Sequence, residues 1–345
     1  MSTTALMNQQ FCLAARPVGM PKRSDWEEKT EPVREIADGE IVVKALYLSL
    51  DPAMRGWMNE GKSYIRPVAI GETMRAGGVG VVLASKSDKF AVGEHVSGGI
   101  GVQQYWVGAA ADKTAGFFKI DPQVAPLTTW LNTLGMPGMT GYFGLLESGQ
   151  PKAGDTVVVS GAAGAVGMTV GQVAKHLGCR VVGIAGGKEK CDFVVNELGF
   201  DACIDYKASA SAVKDGLKEH CPSGVDVYFD NVGGEILDTV LTRINLRARI
   251  VICGAISQYN NTTAVKGPAN YLSLLVNRAR MEGIVVFDYA DRYHKGVAAL
   301  AKWMQEGTFK SKEDVVDGIG NFPEALLMLF EGKNFGKLVL KVADA

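Results

Sequence analysis

At 345 residues the chain is long for one core, which points to two domains. With 47% apolar and 21% charged residues, its composition is that of a globular protein and not a disordered one. A net charge of −1 excludes the basic field that nucleic acid or an anionic membrane surface would need.

No apolar run reaches the length of a membrane span. The first residues, MSTTALMNQQ, lack the charged, apolar and small-residue regions of a secretion signal. The six cysteines, at 12, 179, 191, 203, 221 and 253, contain no CxxC pair, so the expected setting is reducing and cytoplasmic.

Residues 1–125 carry short strand-like runs at 11–15, 40–49, 77–84, 95–97, 101–107 and 115–119. Turn signals separate them: Gly71, Gly77-Gly78, Gly93, Gly98-Gly99 and Asp121-Pro122. Such spacing predicts an all-β unit, a sandwich or partly open barrel. Residues 51–64 break the pattern and carry Arg55, Trp57 and Tyr64, a candidate site-lining loop.

From Leu127 the spacing turns helical, and Pro137 must interrupt or restart a helix. Strands at 156–159, 180–185, 202–204, 225–229, 249–253 and 283–287 then alternate with helices near 166–177, 188–198, 209–220, 234–243, 268–278 and 292–306. The alternation predicts an α/β fold with a doubly wound parallel sheet of the Rossmann type. Past residue 310 the pattern changes again, to a strand at 313–317, a helix at 322–330 and a strand at 337–342. The simplest account is that this tail returns to the first domain and completes it.

The centre of the chain is residues 156–178, TVVVSGAAGAVGMTVGQVAKHLG: strand, Gly-rich turn, helix. That arrangement brings backbone N–H groups and a helix N-terminus to a pyrophosphate. Gly164 would admit the phosphates and Gly167 would let helix and strand pack closely. The G-x-G-x-x-G pattern is incomplete, because Ala162 holds its first glycine position, and a plain buried turn is the other reading. About 20 residues on, an NAD site would offer an acid to the ribose. This chain offers Gly186-Gly187-Lys188-Glu189-Lys190. Lysines without the acid favour the 2′-phosphate of NADP(H), although two solvated lysines at a helix start would read the same way.

Ligands in such sheets lie beyond the carboxyl ends of the strands. Those ends present Asp205-Tyr206-Lys207, Asp230-Asn231-Val232-Gly233-Gly234, residues 253–260 and residues 285–289. The four histidines, His95, His176, His220 and His294, pair with no cysteine at ligand spacing, and no G-x-S-x-G elbow is present. A metal-free redox enzyme using NADPH is what remains. A conjugated C=C bond suits it, because a hydrogen-bond donor suffices to stabilise the enolate oxygen.

The motifs YLSLDPAMRG at 47–56, LGMPGMTGYFGLL at 134–146, GAAGAVG at 161–167, AGGKEKC at 185–191, FDNVGGE at 229–235, CGAISQYN at 253–260 and EGKNFGKLVL at 331–340 carry a resemblance. The chain resembles the zinc-independent medium-chain dehydrogenase/reductases, in the enone reductase branch of the leukotriene and prostaglandin reductases. Within it the chain is most similar to the bacterial NADPH-dependent curcumin reductases. The resemblance implies a GroES-like catalytic domain at 1–128 and 310–345 and a Rossmann NADP(H)-binding domain at 129–309. It implies NADP(H) held by Gly164, Ala165, Val166, Gly167, Gly187, Lys190, Tyr206, Asn231, Cys253, Gly254, Ile256, Ser257, Tyr259, Ile284, Val285, Val286 and Asn334, with Lys190 on the 2′-phosphate.

Tyr259 is the implied group at the substrate carbonyl. Many relatives read D-P-Y-M-R where this chain has Ala53, so either the pocket is wider there or Tyr64 supplies the missing phenol from the same loop. Ala53, Arg55, Tyr64 and Tyr259 are the expected substrate residues, with Tyr64 and Tyr259 catalytic. Zinc enzymes of the wider superfamily have Cys and Gly-His-Glu where this chain has Ser49 and Ile70-Gly71-Glu72, so no metal is expected.

The implied activity is NADPH-dependent reduction of the C=C bond of α,β-unsaturated ketones and aldehydes, curcumin-like molecules among them. The alternatives are a quinone reductase of the same fold and a non-catalytic NADPH-binding protein. The apolar run 283–287 is a candidate sheet edge for a homodimer.

Overall fold

Residues 40–49, EIVVKALYLS, have nearly every side chain buried, which suits the middle of a sheet rather than its rim. The computed structural model, which describes residues 6–344, puts them there. The chain divides into two units, one of residues up to 131 together with those from 313, the other of residues 132–312.

In the first unit, β1 (Met7–Leu13) pairs antiparallel with β2 (Trp26–Pro32). Sequence spacing does not find β2, because WEEKTEP is almost wholly exposed and shows no apolar alternation. The larger sheet is built on β3 (Glu40–Ser49), which takes β4 (Gly77–Ser85) on one side. Beyond β4 lie β5 (His95–Gly99) and β7 (Phe118–Lys119), and β6 (Tyr105–Ala109) also pairs with β3. The strand expected at 101–107 starts late, because Gly101 turns the chain at φ +80°.

A short helix, α1 (Ala53–Trp57), follows β3. The C-terminal segment supplies β14 (Glu313–Asp317), α9 (Phe322–Glu331) and β15 (Lys337–Lys341). β15 lies antiparallel beside β3, with Val339 opposite Ser49. A buried ion pair fixes that junction: Lys337 Nζ lies 2.9 Å from Asp51 Oδ1, and Lys337 also donates to Leu50 O. Ser49 Oγ donates to the other carboxylate oxygen of Asp51. Burial pulls the Lys337 ammonium below its usual range, and the Asp51 charge opposes that pull. Asp51→Asn would strand the ammonium in the core, at a cost of about 3–5 kcal/mol. Urea unfolding followed by circular dichroism would show the lowered midpoint; an unchanged midpoint would remove the pair from the account.

In the second unit, TVVVS at 156–160 is wholly buried, as a parallel strand covered on both faces must be. The strands are β8 (Thr156–Ser160), β9 (Arg180–Ala185), β10 (Ala202–Asp205), β11 (Val225–Asp230), β12 (Ile244–Ile252) and β13 (Arg280–Gly283). All pairings are parallel, in the order β10-β9-β8-β11-β12-β13. Counted from β8 this is the order 3-2-1-4-5-6 of the dinucleotide-binding fold, with its switch point between β8 and β11.

Helices connect the strands: α2 (Met136–Phe143), α3 (Ala165–His176), α4 (Lys188–Asn196), α5 (Ala212–His220), α6 (Gly234–Leu241), α7 (Leu272–Asn277) and α8 (Tyr293–Gln305). Pro137 opens α2 in its first turn, where its missing N–H has no helical partner to lose. The last strand corrects an expectation. It is Arg280–Gly283, not 283–287, and Val286–Arg292 coils into a 3-10 turn.

Candidate active site

The turn after β8 has three constraints. Gly161 takes φ +62°, a left-handed conformation that favours glycine. Gly164 is the N-cap of α3 and has no side chain with which to cap it. A Cβ on Gly167 would lie 2.2 Å from Gly161 O and 2.9 Å from Ala162 Cα. The left-handed position therefore falls one residue before the place that Ala162 occupies in the usual fingerprint. Ala162 is buried and has no positive φ, so a side chain is accommodated there. The first-turn N–H groups of α3 have no helical partners, and the absence of side chains at the turn lets an anion reach them. A pyrophosphate fits this cradle, with Ala165 and Val166 supplying the next backbone groups.

The turn after β9 meets the end of β10. Gly187, the N-cap of α4, has φ +98°, and its N–H donates to Asp205 Oδ1 at 2.7 Å. Lys207 N donates to the same oxygen at 2.9 Å. Asp205 is thus an acid committed to shaping the corner. The Tyr206 ring lies against Gly186, where a Cβ would come within 2.9 Å of it. Lys188 is exposed and ion-paired with Asp192, while Lys190 is partly buried in the same turn. Of the two lysines, Lys190 is the one built into the corner.

At the switch point the ends of β8 and β11 are tied together. Asp230 is fully buried, and its Oδ1 accepts from Ser160 Oγ at 2.9 Å, Tyr228 OH at 2.8 Å and the N–H groups of Val232 and Gly233. Burial and the adjacent carboxylate push the Tyr228 phenol far up, so it remains a donor. Asn231 N donates to Ser160 Oγ, and its side-chain amide donates to Ser160 O at 2.8 Å. The motif reading singles out Asn231 but misses Ser160 and Tyr228, because an apolar strand gives no sign of which polar side chains its neighbours meet.

The segment after β12 folds onto the Asn231 turn. Cys253 N and Gly254 N donate to Asp230 O, and Ile256 N donates to Asn231 O. Ser257 Oγ donates to Val232 O at 2.6 Å. The chain then turns back, so that Tyr259 OH accepts from Ala255 N at 3.2 Å. Gly254 has to be small, since a Cβ there would lie 2.8 Å from the Tyr259 hydroxyl. Burial pushes the Cys253 thiol up to about 12, so it stays neutral beside the turn. Ile284 N donates to Ile252 O, which brings the apolar residues Ile284, Val285 and Val286 to the same end of the sheet. Asn231, Cys253, Gly254, Ile256, Ser257 and Tyr259 therefore gather at the carboxyl ends of β11 and β12.

Four of the residues expected from the sequence lie in the first unit. Ala53 packs on that unit's core. Tyr64 is 56% exposed, and its hydroxyl accepts from Trp57 Nε1 at 3.2 Å. Asn334, on the loop before β15, donates to Gly336 O at 2.9 Å. Arg55 is a correction. It is only 3% exposed, and its guanidinium donates to Gly19 O and Pro17 O at 3.0–3.2 Å. It braces the loop and does not present its charge to a substrate.

Two family models match the chain, one described as the N-terminal domain of oxidoreductase at residues 9–115 and one as zinc-binding dehydrogenase at residues 165–303. The second description implies zinc, and the residues do not fit it. Among the described residues no group of three His, Cys, Asp or Glu side chains could hold a metal ion. Ser49 is bonded to Asp51, and Glu72 is bonded to Arg66 and to the Ala69 N–H.

The NADPH-dependent curcumin reductase of Escherichia coli (strain K12) is 40% identical, with 97% of each chain covered. The NADP(+)-dependent 2-alkenal reductase of Nicotiana tabacum is 43% identical, covering 97% of this chain and 98% of its own. The crystal structure of CurA from Vibrio vulnificus in complex with NADPH matches with a TM-score of 0.91 at 42% identity, covering 98% of this chain and 100% of that one. The chain belongs to the medium-chain dehydrogenase/reductase family, in the enone reductase branch that its motifs resemble.

Proposed function

We propose that this chain is an NADPH-dependent reductase of the C=C bond of α,β-unsaturated ketones and aldehydes, acting without a metal. The observation that carries the reading is the Tyr259 turn, a phenol held at the carboxyl end of β12 beside the Asn231 loop.

NADPH, when bound, supplies the hydride that ends on the substrate's β-carbon. The cradle of Gly164, Ala165, Val166 and Gly167 holds its pyrophosphate, and Lys190, with Gly187 and Tyr206, holds its 2′-phosphate. Asn231, the turn from Cys253 to Tyr259 and the apolar residues Ile284, Val285 and Val286 complete the grip. As the β-carbon is reduced, charge moves to the carbonyl oxygen. The Tyr259 hydroxyl donates a hydrogen bond there and stabilises the enolate. Accepting from the Ala255 N–H makes that hydroxyl a stronger donor. The α-carbon then takes a proton from solvent, which completes the saturated product. In the first unit, Ala53 and Tyr64 are the residues that the resemblance assigns to the substrate.

A panel of conjugated enals, a benzylidene ketone, curcumin, a quinone and a saturated ketone tests the reading, with NADPH consumption followed by absorbance and products by mass. Saturated carbonyl products from the enones support it. Turnover of the quinone alone would move the assignment to quinone reductase, and NADPH binding without turnover would leave only a binding protein.

We further propose that the enzyme works in the cytoplasm as a homodimer. Among the described residues β13 is a sheet edge paired only to β12. Next to it, α7 exposes Leu272, Leu275 and Val276 by 56%, 74% and 69%, apolar area that a second copy would cover. Sedimentation should give twice the 36.8 kDa chain mass, and Leu275→Glu with Val276→Lys should return a monomer. A wild-type monomer would refute the dimer.

A further inference from the structure

Cys191 lies in the first turns of α4 and Cys203 on β10. Their sulfurs are 2.8 Å apart, with the Cys203 thiol donating toward Cys191 Sγ. Nothing in the proposed reaction uses either one. Cys191 is 9% exposed and Cys203 half-buried, so a small reagent reaches the pair more readily than a protein thiol would. The bond from Cys203 pulls the Cys191 thiol below its ordinary value, and the same bond, with burial, pushes Cys203 up. With the two sulfurs this close, a thiol oxidised at either one has its resolving partner already in place.

The two elements they join are the two sides of one corner. The first turn of α4 carries Lys190. The end of β10 leads into Asp205, which takes the Gly187 N–H, and Tyr206, which covers Gly186. A bond between the sulfurs brings them to about 2.05 Å. It would therefore draw α4 toward β10 and shift Lys190 relative to Tyr206.

We propose that Cys191 and Cys203 are an oxidation site, which a peroxide converts to a disulfide that weakens binding of the NADPH 2′-phosphate. The inference rests on the assignment of Lys190 to that phosphate. The Cys191 sulfur attacks one peroxide oxygen, the O–O bond breaks, and the departing hydroxide leaves as water with the Cys191 proton. The Cys203 sulfur then displaces hydroxide from the Cys191 sulfenic acid. The S–S bond forms as the S–O bond breaks, and the Cys203 proton leaves in a second water. The two thiols supply the two electrons that reduce the peroxide.

The test treats the full chain with hydrogen peroxide, maps cross-linked peptides by mass, and titrates NADPH and NADH by fluorescence. The expected result is a 191–203 cross-link reversed by dithiothreitol, with Kd for NADPH raised on the order of tenfold, as for the loss of one charge-assisted contact. Kd for NADH should be unchanged. Cys203→Ser should show neither the cross-link nor the shift. Absence of the cross-link, or a cross-link with unchanged NADPH affinity, would overturn the proposal. Lys190→Ala separates the two claims. If it weakens NADPH while peroxide yields no cross-link, only the oxidation site fails. If the cross-link forms but Lys190→Ala leaves NADPH affinity intact, the phosphate assignment fails and takes the coupling with it.

Discussion

Replacing Tyr259 with phenylalanine should lower kcat for a conjugated enone about 100- to 1,000-fold, the usual loss when one donor to a developing oxyanion is removed. The ring stays, and so does its packing over Gly254. Only the hydroxyl goes, and with it one acceptor for the Ala255 N–H. KM for the enone should move little, because the donor acts on charge that develops after binding. Affinity for NADPH should stay within a few-fold, since the phosphate cradle is built on other strands. A variant with near wild-type kcat and an unchanged melting temperature would remove Tyr259 from the chemistry.

Lys190→Ala should raise KM for NADPH about 10- to 100-fold, since a hydrogen bond to a charged group contributes about 1.5–3 kcal/mol and each ~1.4 kcal/mol is tenfold. NADH lacks the phosphate, so KM for NADH should not change, and the preference between the two cofactors should collapse. Lys188→Ala is the internal control. That lysine is exposed and paired with Asp192, and its removal should leave the cofactor preference near wild type. If Lys188→Ala has the larger effect, the corner is read from the wrong lysine.

The middle of the second unit's sheet was legible because β8, β9 and β11 are buried on both faces. TVVVS and RVVGIA are runs that no amphipathic helix would carry, and each stops at small residues. The glycine turn was legible for a related reason, since Gly167 sits where any side chain would strike the backbone of Gly161. Rims were harder to read. β2 is charged along its length, and β13 is Arg-Met-Glu-Gly, with only one partner strand and charged residues at the edge. The more apolar residues just after β13 look like a strand and instead coil. Such edges need charge to avoid mispairing, and that charge hides them from an apolar pattern.

Within the site, spacing along the chain found the loops but not what holds them. Arg55 looked like a charge offered to a ligand, because its acceptors, Pro17 and Gly19, lie far back in the sequence. Asp230 looked like the start of a turn. Its burial and its bond from Ser160, on a strand 70 residues earlier, follow only from the parallel pairing of β8 with β11. Lys337 read as part of a tail motif, and its buried partnership with Asp51 depends on β15 reaching β3.

The most direct test of the central claim follows the hydride. NADPH deuterated at the transferred position is turned over with a benzylidene ketone, and the product is read by NMR and mass. The account predicts a saturated ketone with deuterium on the β-carbon and the carbonyl intact. An allylic alcohol with deuterium on its carbinol carbon would contradict it, because the chain would then be a carbonyl reductase and Tyr259 would have been given the wrong task.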